Sequence, residues 1–126
     1  MSVRYLLPVL IGGGLGATLR YVISLLVKSN PGGFPWATFW INVGGCLFMG
    51  LAFALIAPES TGMRLFVMAG ILGGFTTFSS FGLETFGLFE AGQYKPGILY
   101  VLLSNLCGLA AVYLGVRLPV WVKLIT

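Results

Sequence analysis

The residues best suited to chemistry lie in one decapeptide, Gly73–Gly82, which reads GGFTTFSSFG. Four hydroxyls, on Thr76, Thr77, Ser79 and Ser80, are interleaved with the rings of Phe75, Phe78 and Phe81. A phenyl ring is partly positive at its edge. Rings presented edge-on beside hydroxyl donors make a path that is polarised but uncharged. Such a path disfavours cations and binds an anion weakly enough to release it. Phe78 and Phe81 are three apart and share a face if the segment is helical there, and Phe75 extends that row. The stretch also opens on two glycines, which weaken a helix, and its threonines crowd χ1. Unwound backbone survives in hydrocarbon only where protein buries it or where it lines a wet cavity. If the helix comes undone here, the carbonyls of Gly73 and Thr76 become hard oxygen ligands for a small alkali cation. The plainer alternative is a kinked helix whose threonines bond backward to carbonyls.

Other polar side chains in apolar surroundings could join this site. Asn42 follows Thr38 by one turn, with Cys46 and Met49 continuing the same face. Its amide serves either as glue between helices or as a donor aimed into a polar pathway, where it solvates an anion without gripping it. Tyr100, Ser104 and Gly108 share a face further on, with Asn105 beside them. Glu84 is the one acid well inside an apolar segment, and an intramembrane carboxylate marks function by default; it can pair with a basic residue at a mouth, line the pathway or snorkel. Gly12, Gly16 and Arg20 are spaced four apart, and Gly13 and Ala17 form a second small pair. Small-xxx-small faces let helix backbones approach closely. Arg20 can snorkel to the headgroups, or, lying on the inward glycine face with no carboxylate on its own helix, attract an anion.

These residues have to be positioned by membrane helices. The chain has 126 residues, of which 58% are hydrophobic and only 8% charged, too apolar for so small a domain to hide from water. The fold class is therefore all-α integral membrane, with room for about four spans of about 20 residues each. Turn-forming clusters separate spans at about residues 5–27, 36–57, 63–89 and 97–118, forming a single four-helix domain with the third helix broken at mid-span. The connections are short, so neighbouring spans are expected to pack antiparallel. The first span is read as a retained helix and not a cleaved signal, because Arg20-Tyr21 stands where a small-residue cleavage site would be. Cys46 and Cys107 have no metal-ligand spacing and read as buried thiols, and there is no histidine. With both termini on one side, Arg4, Arg64, Arg117 and Lys123 face Arg20, Lys28 and Lys95 across the membrane. So even a division gives the chain little instruction on orientation. It suits either dual topology, with an antiparallel homodimer as the working unit, or a weak single orientation that charge counting misses.

Four stretches, GGGLGATLRY, TFWINVGG, GGFTTFSSFGLET and YVLLSN, closely resemble the Fluc (CrcB) fluoride channel family and together touch every span. The resemblance implies a passive, fluoride-selective anion channel that relieves fluoride toxicity, in the plasma (inner) membrane of a prokaryote. It implies an antiparallel dual-topology homodimer with two pathways and a structural Na⁺ at the interface, held by the carbonyls of Gly73 and Thr76. The pore residues it implies are Asn42, Phe78 and Phe81, with Arg20 in a vestibule. A polar track follows through Ser80, Tyr100 and Ser104, with Glu84 near one entrance. Gly108 departs from the pattern, which often has a second serine there. Fluoride and membrane lipid are the expected partners, and nucleic acid is not. Two rival readings are a small proton-coupled drug exporter and an assembly subunit. The exporter needs a carboxylate deep in the first helix, which has none. An enzyme is disfavoured because the chain offers no histidine, no Cys–His pair and no acid dyad.

Overall fold

A computed structural model describes residues 3–28 and 32–125. A short 3₁₀ turn, Val3–Tyr5, leads into α1 (Leu6–Leu26), and α2 is Trp36–Leu55. The third crossing is composite. It begins as α3 (Thr61–Arg64), passes into a π-helical run (Leu65–Leu72) and ends as α4 (Gly73–Phe75). Thr76 and Thr77 are extended, with ψ of 158° and 113°, before α5 (Phe78–Glu90) resumes. The last helix is α6 (Tyr94–Ile125). Four helical stretches, Val3–Leu26, Trp36–Leu55, Thr61–Glu90 and Tyr94–Leu124, are long and apolar enough to cross a membrane. Their lateral surface is leucine-rich and exposed, as in Leu10, Leu26, Leu55 and Leu109. This is the surface of a multi-pass membrane protein.

Local chemistry sets most of the helix ends. Pro35 precedes α2, where a missing N–H costs nothing, and its carbonyl accepts from Phe39 N at 3.0 Å. At the other end of α2, Arg64 Nη1 reaches back to Ile56 O at 2.9 Å. α5 closes on a left-handed glycine, Gly92, at φ 71°. Gly92 N donates to Phe89 O and Gln93 N to Leu88 O, the paired reverse bonds of a Schellman cap. α6 continues through Pro119, beyond the end expected near that residue. At about 1.5 Å per residue it is long enough to cross the hydrocarbon and project beyond it.

The tightest packing is between spans that are not neighbours in sequence. α1 lies along Leu65–Phe75, and α2 lies along α6. Short connections constrain how successive helices run, but glycines decide which faces meet. A Cβ on Gly16 would collide with the carbonyl of Ile71, and one on Gly74 would come within 2.5 Å of Gly13 O. Gly50 and Gly115 play the same part between α2 and α6. Without hydrophobic drive between helices in lipid, such backbone approach supplies much of the packing energy. The most buried cluster, Phe39, Leu88 and Tyr100, sits at one end of the bundle beneath Phe34.

Candidate functional site

The helix gives way after the glycine pair and not within it. Gly73 and Gly74 remain helical; α1 packs on the Gly74 backbone, and Arg20 Nε donates to Gly74 O at 3.1 Å. At the next residues other partners replace the helical ladder. Thr77 N donates to Asn42 Oδ1 at 2.8 Å, and Asn42 Nδ2 donates to Thr77 O at 3.0 Å. One amide from α2 thus satisfies both main-chain groups of an extended residue within the bundle, where leaving either unmet costs about 1–3 kcal/mol. Thr76 ties off the upstream helix: its N and its Oγ1 both reach Leu72 O, at 3.1 and 3.0 Å. Thr77 starts the downstream one, its Oγ1 accepting from Ser80 N at 3.2 Å as an N-cap.

The interruption leaves the four carbonyls from Gly73 to Thr76 without helical donors, and for two of them the new partner of the donor is seen. A continuous helix would direct Thr77 N–H to Gly73 O and Ser80 N–H to Thr76 O. Those N–H groups go instead to Asn42 and to the Thr77 hydroxyl. Gly73 is exposed on the surface of the single chain and Thr76 is half-buried.

A cleft of about 280 Å³ lies beside the break, between α2 and α6. Of the residues singled out from sequence, Asn42, Thr76, Phe78, Phe81 and Ser104 line it. The Ser104 hydroxyl oxygen is buried and has no hydrogen-bond partner among the described residues. A lone serine in a membrane helix ordinarily bonds its own backbone. Asn105, also on the cleft wall, does that with its amide, donating to Val101 O at 2.7 Å. A Cβ at Gly108 would meet only Cys46 Sγ, at 3.5 Å, so the missing serine leaves space and not a different packing. Among the described residues, no carboxylate or ammonium lines the cleft.

The three phenylalanines do not form one row. Phe75 is buried, its ring facing Gly45, because the two extended residues after it change the helical register. Phe78 and Phe81 do pair, at 5.5 Å between centroids. Phe81 also packs on Tyr100 at 5.0 Å, whereas Phe78, at the edge of the cleft, is 81% exposed on the single chain.

Glu84, Tyr100 and Ser80 stand outside the cleft wall. Glu84 meets two hydroxyls and not a basic side chain: Thr38 Oγ1 donates to its Oε1 and the Tyr100 OH to its Oε2, each at 2.7 Å. Tyr100 is fully buried, wedged between Phe81 and Phe34. Ser80 accepts from Thr77 Oγ1 at 3.0 Å. Arg20 spends Nε on the main chain of α4 and lies apart from the cleft lining. The Thr38–Glu84–Tyr100 cluster went unread in the sequence, although Thr38 and Asn42, one turn apart on α2, both reach the third crossing. Thr77, one of the four hydroxyls of the decapeptide, has a further role as the N-cap of α5. Its signal was a hydroxyl residue directly before a helical stretch, with a serine three positions on.

A family model described as CrcB-like protein, Camphor Resistance (CrcB), matches residues 7–116. A protein of Azobacteroides pseudotrichonymphae named "Fluoride-specific ion channel FluC" is 45% identical over 109 residues, 83% of this chain and 87% of that one. "Fluoride-specific ion channel FluC 2" of Nocardia farcinica is 44% identical over 119 residues, covering 92% and 85% of the two chains. A protein of Thermus thermophilus with the first of these names is 44% identical over 118 residues, 91% and 94% of the two. With a match across every membrane-crossing helix and this identity over most of its length, the chain belongs to the CrcB family.

Proposed function

We propose that this protein is a passive, fluoride-selective channel and not an enzyme, working as an antiparallel dual-topology homodimer in the plasma membrane of a prokaryote. The observation that carries the reading is the unpartnered, buried hydroxyl of Ser104, a residue of a cleft wall that also holds Asn42, Phe78 and Phe81 and, among the described residues, no charged side chain. A buried hydroxyl with a free proton is a donor held in readiness for an anion. Rings in place of charges keep binding weak enough for throughput. The names of the relatives supply the ion.

Phe78 and Gly73 are exposed on the single chain, which suits coverage by a second copy. The near-even basic count allows copies to insert both ways. A structural Na⁺ suits the break, since Gly73 O and Thr76 O are among the carbonyls whose helical donors are spent elsewhere, while Gly74 O is taken by Arg20. Bound there, the ion would supply positive charge to main-chain oxygens that lack donors. Arg20, Ser80, Tyr100 and Glu84 are assigned to the approaches of the pathway and not to the cleft itself. Fluoride that entered a cell as neutral HF is trapped once it ionises. A membrane potential negative inside then drives the anion out with about 2.3 kcal/mol per 100 mV.

Liposomes loaded with fluoride and containing the purified protein are expected to empty through it, while chloride-loaded liposomes stay closed. Fluoride release no faster than from protein-free liposomes rejects the channel.

A further inference from the structure

Thr77 lines the cleft, is 9% exposed, and engages both its backbone and its side chain. Its N–H and C=O meet the two ends of the Asn42 amide. Its hydroxyl accepts from Ser80 N at 3.2 Å, donates to Ser80 Oγ at 3.0 Å, and lies 3.3 Å from Ser79 Oγ. We infer that Thr77 is a positioning residue: its hydroxyl holds the local backbone that orients the Asn42 amide, and so fixes which end of that amide serves the cleft.

An asparagine amide rotated by half a turn exchanges a donor for an acceptor. Here the rotation would set Nδ2 against Thr77 N–H and Oδ1 against Thr77 C=O, losing both bonds at once. With the amide held, one Nδ2 hydrogen goes to Thr77 O and the second stays available to the cleft that Asn42 lines. The lock needs Thr77 to remain extended, at φ −150° and ψ 113°. The competing state is a continuous helix, in which Ser80 N–H returns to Thr76 O and Thr77 N–H to Gly73 O. Either change undoes the grip on Asn42. The Thr77 hydroxyl opposes that state by occupying Ser80 N–H. Its neighbour Thr76 cannot substitute, because its own hydroxyl is committed upstream to Leu72 O.

The inference concerns how Asn42 is held, and its effect on transport rests on the channel reading above. Only Asn30, Asn42 and Asn105 are asparagines, so asparagine-selective ¹⁵N labelling of the full chain in detergent gives a readable side-chain spectrum. Hydrogen exchange of the Asn42 amide is expected to be slow in the native protein and in Thr77→Ser, which keeps the hydroxyl. In Thr77→Val, of equal size without it, exchange is expected to be about fivefold faster, the ratio for a lost N-cap of about 1 kcal/mol. Thr77→Cys, with a weak sulfur acceptor, gives the same comparison should the valine variant fail to fold. Unchanged Asn42 exchange in the valine or cysteine variant overturns the inference, as does a serine variant that behaves like valine. If Asn42 loosens as expected and fluoride release from liposomes does not fall, the positioning stands and the pathway assignment fails.

Discussion

Asn42→Asp is expected to lower fluoride flux by about a hundredfold while leaving the chain folded and its oligomeric state unchanged. A carboxylate keeps the acceptor for Thr77 N–H but has no donor for Thr77 O, so one of the two bonds to the break is lost. It also puts a negative charge on the wall of a cleft that has none among the described residues. Two like charges about 5 Å apart at an effective dielectric near 20 repel by about 3 kcal/mol, and each 1.36 kcal/mol is a factor of about ten. The measurement is initial fluoride efflux from liposomes at matched protein content, with size-exclusion chromatography in detergent as the control for assembly. Flux within about threefold of the native protein would mean that the anion does not pass Asn42.

Phe81→Ala is the second large effect, with an expected fall in flux of about tenfold or more. Phe81 is the ring that joins the cleft to the buried cluster, 5.5 Å from Phe78 and 5.0 Å from Tyr100. Removing it takes away a polarised edge from the path and a packing partner from Tyr100. Phe81 is only half-buried, so the loss of stability should fall below the 3–5 kcal/mol typical of a core phenylalanine, at about 2 kcal/mol. Phe81→Leu separates the two contributions. It refills most of the volume and should recover stability, but it has no ring quadrupole and should stay slow. A leucine variant with native flux would show that Phe81 contributes bulk alone.

Much of this architecture could be read directly from the residues, because lipid is a strict solvent. An apolar chain of this length has few options besides helices, and the turn clusters around Pro35, Pro58 and Gly92 mark where they stop. The position of the break was harder to read. Gly73-Gly74 is the obvious weak point by propensity, yet Gly74 is where α1 approaches and where Arg20 holds a carbonyl. Thr76-Thr77 yields instead, because Asn42 offers its backbone an alternative set of hydrogen bonds. That offer comes from a residue 35 positions away and is invisible to local rules. The extended pair then explains why Phe75 leaves the aromatic row, which regular spacing had put in line. Glu84 illustrates the same limit. Its intramembrane position was plain, but its two hydroxyl partners come from α2 and α6, and only the packing of three helices brings them to one carboxylate.

On the proposed function, uncharged rings and hydroxyls beside the interrupted third crossing conduct fluoride as the charged species. The most direct test is the zero-current potential of the reconstituted protein across a planar bilayer with a tenfold gradient of potassium fluoride. Anion conduction predicts about 59 mV with the sign set by fluoride, collapsing when chloride replaces fluoride. A potential of opposite sign, or one that is the same with either halide, would contradict the account.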